Sequence, residues 1–256
     1  MGTFTPVNEL ERLLIDAASD PAARPKFYRA LPEHELFVIT EGRKPEREHQ
    51  ITLTEETPLK LRMIELEGKL HIPIFTAVER ISAVVDAEVG FVAMKGRDLL
   101  NLLRDKDLVM NPGSEYGKLL TQQEVNAIVD GSIFSPQETP DVGGKRVVLG
   151  QPNDYPRHIT EALRRFFVQQ REVKAAYLGH AFIPDIDKEP HTLIGIEVAG
   201  NWRRVVEEAG LVVREVAKAG EVVDFVQVHP GDTDTIGAYL QRETKPFYKR
   251  KLFGLF

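Results

Sequence analysis

The chain has 256 residues, 42% of them apolar and 28% charged, proportions of an ordinary soluble globular protein that argue against disordered, fibrous and membrane-embedded classes. Its 33 basic and 39 acidic residues leave a formal net charge of −6, so nucleic acid is not an expected partner. There is no cysteine, which excludes disulfides, thiolate nucleophiles and cysteine-ligated zinc or iron–sulfur centres.

The length allows two domains of ordinary size, each with its own core. No stretch approaches the roughly 18 apolar residues of a membrane span, and Met1 to Pro6 lacks a basic region followed by an apolar run. A cytoplasmic location without membrane contact is therefore expected.

In chain order, Val7, Leu10, Leu13, Leu14, Ala17 and Ala18 recur at helical spacing, with Thr5-Pro6 as the expected start. Asp20-Pro21 opens a second short helix carrying Phe27, Tyr28 and Leu31. Strands are expected at Leu36–Thr40, Leu59–Leu66 and Leu70–Phe75, the last two joined by a tight turn at Glu67-Gly68. The polar stretch 41–58 reads as an exposed connection. A helix is expected over 77–86 with Val78, Ile81, Val84 and Val85 inward, then a strand at Phe91–Met94, a helix at Arg97–Leu103 and a strand at Leu108–Met110 that ends at Asn111-Pro112-Gly113. Thr121 with Glu124 has capping-box spacing for a helix through Asp130.

Four of the 16 prolines and the pair Gly143-Gly144 fall between Pro136 and Pro156, which places a domain junction there and divides the chain into domains 1–140 and 141–256. Beyond it come a strand at Val147–Leu149, an amphipathic helix over about 156–170 with Ile159, Leu163, Phe166 and Phe167 as its stripe, and strands at Val173–Ile183 and His191–Val198. A helix opened by Asn201 buries Trp202, Val205 and Val206. A strand at Val222–Val228 and a helix from near Thr233 complete the pattern. Both halves read as α+β, a mixed or antiparallel sheet with packed helices.

Chemistry is sparse. Gly143-Gly144-Lys145-Arg146 lacks the spacing of a phosphate-binding loop and puts Arg146 where a hydroxyl is required. His180, Asp185, Asp187, Glu189 and His191 are close in sequence. Pairing Ile183 with His191 would set His180 opposite Ile194, with the two histidines on opposite sheet faces, so a metal site is not expected and the acids read as solvated loop residues. No Gly-x-Ser-x-Gly elbow or spaced histidine pair occurs. No catalytic residue, cofactor or metal ligand is assigned.

The same register sets Gly179 against Gly195, flanked by Tyr177 and Glu197, a shallow platform that either packs against the chain itself or receives a partner. The carboxyl terminus is the other departure: residues 242–256 hold five basic residues and one acid. Phe247, Tyr248, Leu252 and Phe253 interleave there with Lys245, Lys249, Arg250 and Lys251. This segment either tucks beneath the last helix or docks an anionic surface.

Asn8-Glu9-Leu10-Glu11, Pro21 to Leu31, Ile72-Pro73-Ile74-Phe75-Thr76, Leu108 to Pro112, Leu193-Ile194-Gly195-Ile196-Glu197 and Pro246-Phe247-Tyr248-Lys249-Arg250 together resemble the SseB family, named for enhanced serine sensitivity, over nearly the whole chain. The resemblance implies a bacterial protein with amino-terminal and carboxy-terminal SseB domains, brings no catalytic residues with it, and suggests a link to serine or sulfur metabolism. The reading is a non-catalytic interaction or regulatory protein. Its surface would comprise Tyr177, Gly179, Gly195, Glu197, Lys249, Arg250 and Lys251, for a protein partner whose identity the sequence leaves open, as it does the oligomeric state. The alternative is a small-molecule sensor or enzyme with a site between the domains.

Overall fold

In the computed structural model, residues 4–41, 60–85, 88–135, 146–184, 186–233 and 235–251 are described. The chain forms two units, Met1–Ile133 and Phe134–Phe256, each α+β with a mixed sheet. The junction expected at 140/141 and most of the Gly143–Arg146 stretch lie outside the described residues. Among those described, no helix is long and apolar enough to cross a membrane.

The first unit opens with α1 (Glu9–Ser19), capped by Asn8 rather than Thr5. The Asn8 side chain accepts from Glu11 N and donates to the Thr76 carbonyl, so a contact 68 residues away helps to choose the cap. Asp20 caps a 3₁₀ turn that leads into α2 (Arg24–Ala30). The strands are β1 (Glu35–Ile39), β2 (Ile64–Leu66), β3 (Lys69–Phe75), β4 (Phe91–Lys95), β5 (Leu108–Met110) and β6 (Lys118–Leu120). Their order is β4-β1-β3-β5-β6, with β2 paired to β3; β3 and β5 are parallel and the other pairs antiparallel. Glu67 and Gly68 both have positive φ, 52° and 77°, as a type I′ hairpin turn requires. The helices α3 (Gly96–Leu102) and α4 (Gln122–Asp130) follow β4 and β6, with Thr121 capping α4 as expected.

One expected helix is corrected. Val78–Ala83 forms 3₁₀ turns with no side-chain cap, and Val78 is exposed rather than inward. The β-branched Val78, Ile81, Val84 and Val85, four of eight residues from 78 to 85, disfavour a longer α-helix.

The second unit comprises β7 (Val148–Gly150), α5 (Arg157–Gln169), β8 (Val173–Phe182), β9 (His191–Val198), α6 (Trp202–Val216), β10 (Val223–Gln227), α7 (Ile236–Glu243) and β11 (Tyr248–Lys249). The strand order is β10-β9-β8-β11, and β7 also pairs with β8. Only β9 and β10, joined through α6, are parallel. Both faces of β8 are covered. Ala175, Tyr177, Ala181 and Leu193 pack with Val228 and with Leu240 of α7. Alternation turns Ala176, Leu178, Ile194 and Ile196 to the opposite face, where α5 lies. That double burial explains why β8 reads as an almost continuous apolar run.

Candidate interaction surface

The β8–β9 register differs from the sequence-based one by two residues. Gly179 opposes Leu193, Gly195 opposes Tyr177, and Ala175 opposes Glu197. The cause lies in the connection: Ile183 N–H donates to Asp187 Oδ2, and the amides of Ile186 and Asp187 return to the Ile183 carbonyl, so pairing starts at Ala181 and His191. A shift of two preserves the faces, and Tyr177, Gly179, Gly195 and Glu197 still share one.

That face is occupied where the glycines lie. A β-carbon added at Gly179 would stand 2.7 Å from Leu240 Cδ2, and one at Gly195 would stand 2.5 Å from Leu240 Cδ1 and 2.9 Å from Val228 Cγ2. The two glycines thus let α7 settle onto the sheet, and the glycine platform is covered by the chain itself. Tyr177 is buried beside them. Burial pushes its phenol pKa up and the Glu197 charge adds to this, while a hydrogen bond with Gln241 of α7 acts in the opposite direction. Glu197 is half-buried at the end of the platform.

The carboxyl-terminal segment is woven into the second unit. Tyr248 and Lys249 pair with Ala176 and Ala175 along the edge of β8. The Tyr248 hydroxyl donates to the Phe167 carbonyl at 3.0 Å, and the rings of Phe247 and Tyr248 lie 6.3 and 5.6 Å from that of Phe167. Arg250 does most of the fastening. Its Nη2 donates to the carbonyls of Phe167 (3.1 Å), Val168 (3.4 Å) and Gln170 (2.5 Å), its Nε donates to Val173 (3.0 Å), and its amide donates to Lys174. The last carbonyls of a helix have no intrahelical partner and carry the negative end of its dipole, so a guanidinium there satisfies both.

With Arg250 committed to the α5 terminus, Lys249 and Lys251 stand exposed on either side of it. Exposed Arg164 donates through Nε to the Phe247 carbonyl, and exposed Arg171 follows directly on Gln170. Val168, 62% exposed, lies in the α5 turn whose carbonyls hold Arg250. These groups line the β11 edge as a basic corner: Arg164, Val168 and Arg171 on the α5 side, and Lys249, paired with Ala175, on the face it shares with Ala175 and Glu197. The acids nearest in sequence are Glu161, one turn earlier on α5, and Glu172, which is engaged with Arg204 and the Asn201 amide. Sequence reasoning singled out Lys249, Arg250 and Lys251 but missed Arg164, Val168 and Arg171. The signal was the run Arg164-Arg165-Phe166-Phe167-Val168 ending a helix whose last turn must face a partner or solvent.

The histidines are separated as the alternation requires. His191 Nε2 and Nδ1 lie 2.8 and 3.2 Å from Asp224 Oδ2 and Asp187 Oδ2. The Asp224 hydrogen bond raises the imidazole pKa, burial works against it, and the charges of Asp224 and Asp187 add to the rise. Half-buried His180 sits on the other face, its pKa lowered by burial and by the His191 charge. Asp187 is thus a half-buried partner of His191 rather than the solvated loop acid expected, and Asp185 lies outside the described residues. Among the described residues no group of three acids or histidines is arranged to hold a metal.

The first unit carries a polar knot that the sequence did not reveal. Glu11, fully buried, receives Nε and Nη2 of Arg80 at 2.8 and 2.6 Å, the Thr76 hydroxyl at 2.7 Å and the Val7 amide at 2.8 Å. Burial alone would raise its carboxyl pKa, but these hydrogen bonds and the Arg80 charge hold it below the usual value. Asn111 bonds Thr76 through the backbone and both side chains, tying the ends of β3 and β5 to α1. Arg80 is stacked on Phe4, its guanidinium carbon 4.0 Å from the ring centroid.

Comparison with known proteins agrees with this two-unit architecture. The SseB protein N-terminal domain model matches residues 10–127, and the SseB protein C-terminal domain model matches residues 142–250. Protein SseB of Escherichia coli (strain K12) and Protein SseB of Shigella flexneri are each 30% identical to this chain over 250 residues, covering 96% of this chain and 94% of theirs. No solved structure matches. With both halves matched in order and relatives similar along nearly their full length, the chain belongs to the SseB family.

Proposed function

We propose that the chain is a non-catalytic cytoplasmic protein that binds another protein through the basic corner of its second unit, where Arg164, Arg171 and Val168 lie on the α5 side of the β11 edge and Lys249 and Lys251 stand exposed beside them. One observation carries this reading. Arg250 is committed to the end of α5, which fixes the backbone of Lys249 and Lys251 against the sheet and leaves their ammonium groups exposed. Side chains held on a fixed backbone lose less freedom on binding than those on a loose tail. The surrounding protein is acidic, so the corner is a local reversal of sign suited to an acidic surface with an aliphatic contact for Val168. The glycine platform belongs to the interior in this reading, and Tyr177 and Glu197 support the edge from behind.

The test is fluorescence anisotropy with a labelled peptide of Asp and Glu residues around one leucine, against the same peptide with Asn and Gln. Reversing both Lys249 and Lys251 to Glu is expected to weaken capture of the acidic peptide about tenfold or more. Exposed pairs are worth up to ~1 kcal/mol each, and ~1.4 kcal/mol is a factor of ten. Melting should be unchanged. Equal capture of both peptides, or an unaffected double variant, refutes the proposal.

A further inference from the structure

The strand β10 ends the second sheet, and among the described residues no strand pairs with its outer edge. In a parallel ladder alternate residues of a strand bond to its neighbour. Thr192 N–H donates to the Val222 carbonyl, and Val228 N–H donates to the Ile196 carbonyl. With Asp224 set against Leu193 and Val226 against Gly195, these flanking bonds assign the β9-facing set to Val222, Asp224, Val226 and Val228. The amides and carbonyls of Val223, Phe225 and Gln227 therefore point away from β9.

Other sheet edges are guarded. In the first unit β4 carries exposed Lys95, and β6 is three residues long with Lys118 at its start. The outer side of β8 is covered by β7 and β11. Lysine, brevity and covering segments are the usual defences of a free edge. Val223–Gln227 has none of them: it contains no lysine or proline, and its single acid, Asp224, is paired with His191.

We propose that β10 is a self-association edge, at which a second copy of this chain adds antiparallel and continues the sheet across a two-fold axis through Phe225. An isologous contact requires a segment complementary to its own reverse, and this one is. Phe225 would face Phe225, a cross-strand aromatic pair of the kind that stabilises antiparallel ladders. Val223 would face Gln227, and Asp224 would face Val226, so no two carboxylates are opposed. A register centred on Asp224 would set the two acids against each other. A β-carbon added at Gly237, at the start of α7, would stand 3.4 Å from the Gln227 carbonyl, so that carbonyl is left out of the ladder, and the Phe225 pair with the Gln227 amides donating to the Val223 carbonyls carries the contact.

The test is amide hydrogen exchange on the purified full-length chain over a concentration series, alongside light scattering. The expected result is a mass that doubles with concentration, with the amides of Phe225 and Gln227 slowing at least tenfold in step. The amides of Asp224 and Val226, already bonded to β9, serve as the internal control and should remain slow throughout. Phe225→Pro, which removes the central outward donor, should return the protein to monomer; if it fails to fold, the exchange series on the unaltered chain still decides. A monomer at every concentration, or a dimer in which the Phe225 and Gln227 amides still exchange freely, overturns the proposal. A monomer whose outward amides slow only when a foreign strand peptide is added assigns the edge to another partner and equally overturns it.

Discussion

Replacing Gly195 with alanine probes the close approach of α7 to the sheet. The new methyl would stand 2.5 Å from Leu240 Cδ1 and 2.9 Å from Val228 Cγ2, well inside ordinary carbon contact. Leu240 is fully buried and shares a cluster with Tyr177 and Val228, so it can yield only by disturbing that core. Overpacking of this kind costs about 1–3 kcal/mol. Leu240→Ala alone leaves a cavity over the same glycines and should cost about 2–5 kcal/mol. In the double variant the methyl at 195 occupies room vacated by the leucine. The combined loss should then fall short of the sum by about 1–2 kcal/mol, within the range found for residues in contact. Urea unfolding followed by the fluorescence of Trp202, the chain's one tryptophan, reads the second unit directly. Gly150→Ala is the control: an added Cβ there meets nothing within 4 Å, so the change should stay within about 0.5 kcal/mol. A neutral Gly195→Ala, or strict additivity with Leu240→Ala, would refute the argument that the glycines exist to seat α7.

Arg250→Ala should destabilise the second unit by about 2–3 kcal/mol in the same assay, since it strips charge-assisted bonds from several helix-terminal carbonyls. Arg250→Lys should recover only part of this, because an ammonium cannot span the set as a planar fork does; full rescue by lysine would contradict the clamp. The raised His191 pKa sets a pH dependence. Its stabilising contribution is complete below the unfolded value of about 6.5 and is lost as pH climbs through the higher folded value. Stability of the second unit should fall with rising pH above about 6.5, and His191→Gln should flatten that slope. The lowered pKa of His180 puts its own effect below this window. A slope that survives His191→Gln would sink the assignment.

Much of the architecture was legible because local signals agreed with the final packing. The stripe Ile159, Leu163, Phe166 and Phe167, and the caps Asn201 and Thr121, mark helices whose partners were not needed to recognise them. Face assignments in β8 and β9 were also legible, since the period of two survives a register error of two. What escaped depended on distant contacts. The choice of Asn8 as cap rests partly on Thr76, the Glu11 knot gathers groups from separate segments, and Leu240 covers glycines 45 and 61 positions away. The strand β11 was missed for the same reason: two residues after Pro246 have no periodicity, and their pairing with β8 exists only once the sheet is built. Within the basic segment, residue types identified the charge, but only the fold separates Arg250, turned to the helix end, from Lys249 and Lys251, turned outward.

The most direct measurement for the central claim is a ¹H–¹⁵N NMR titration of the full-length chain with the acidic peptide, mapped residue by residue. The account predicts that shifts concentrate at Arg164–Arg171 and at Lys249–Lys251, with the Gly179 and Gly195 amides beneath α7 undisturbed. Shifts centred on the glycine platform or on the first unit, or no saturable shifts at low salt, would contradict it.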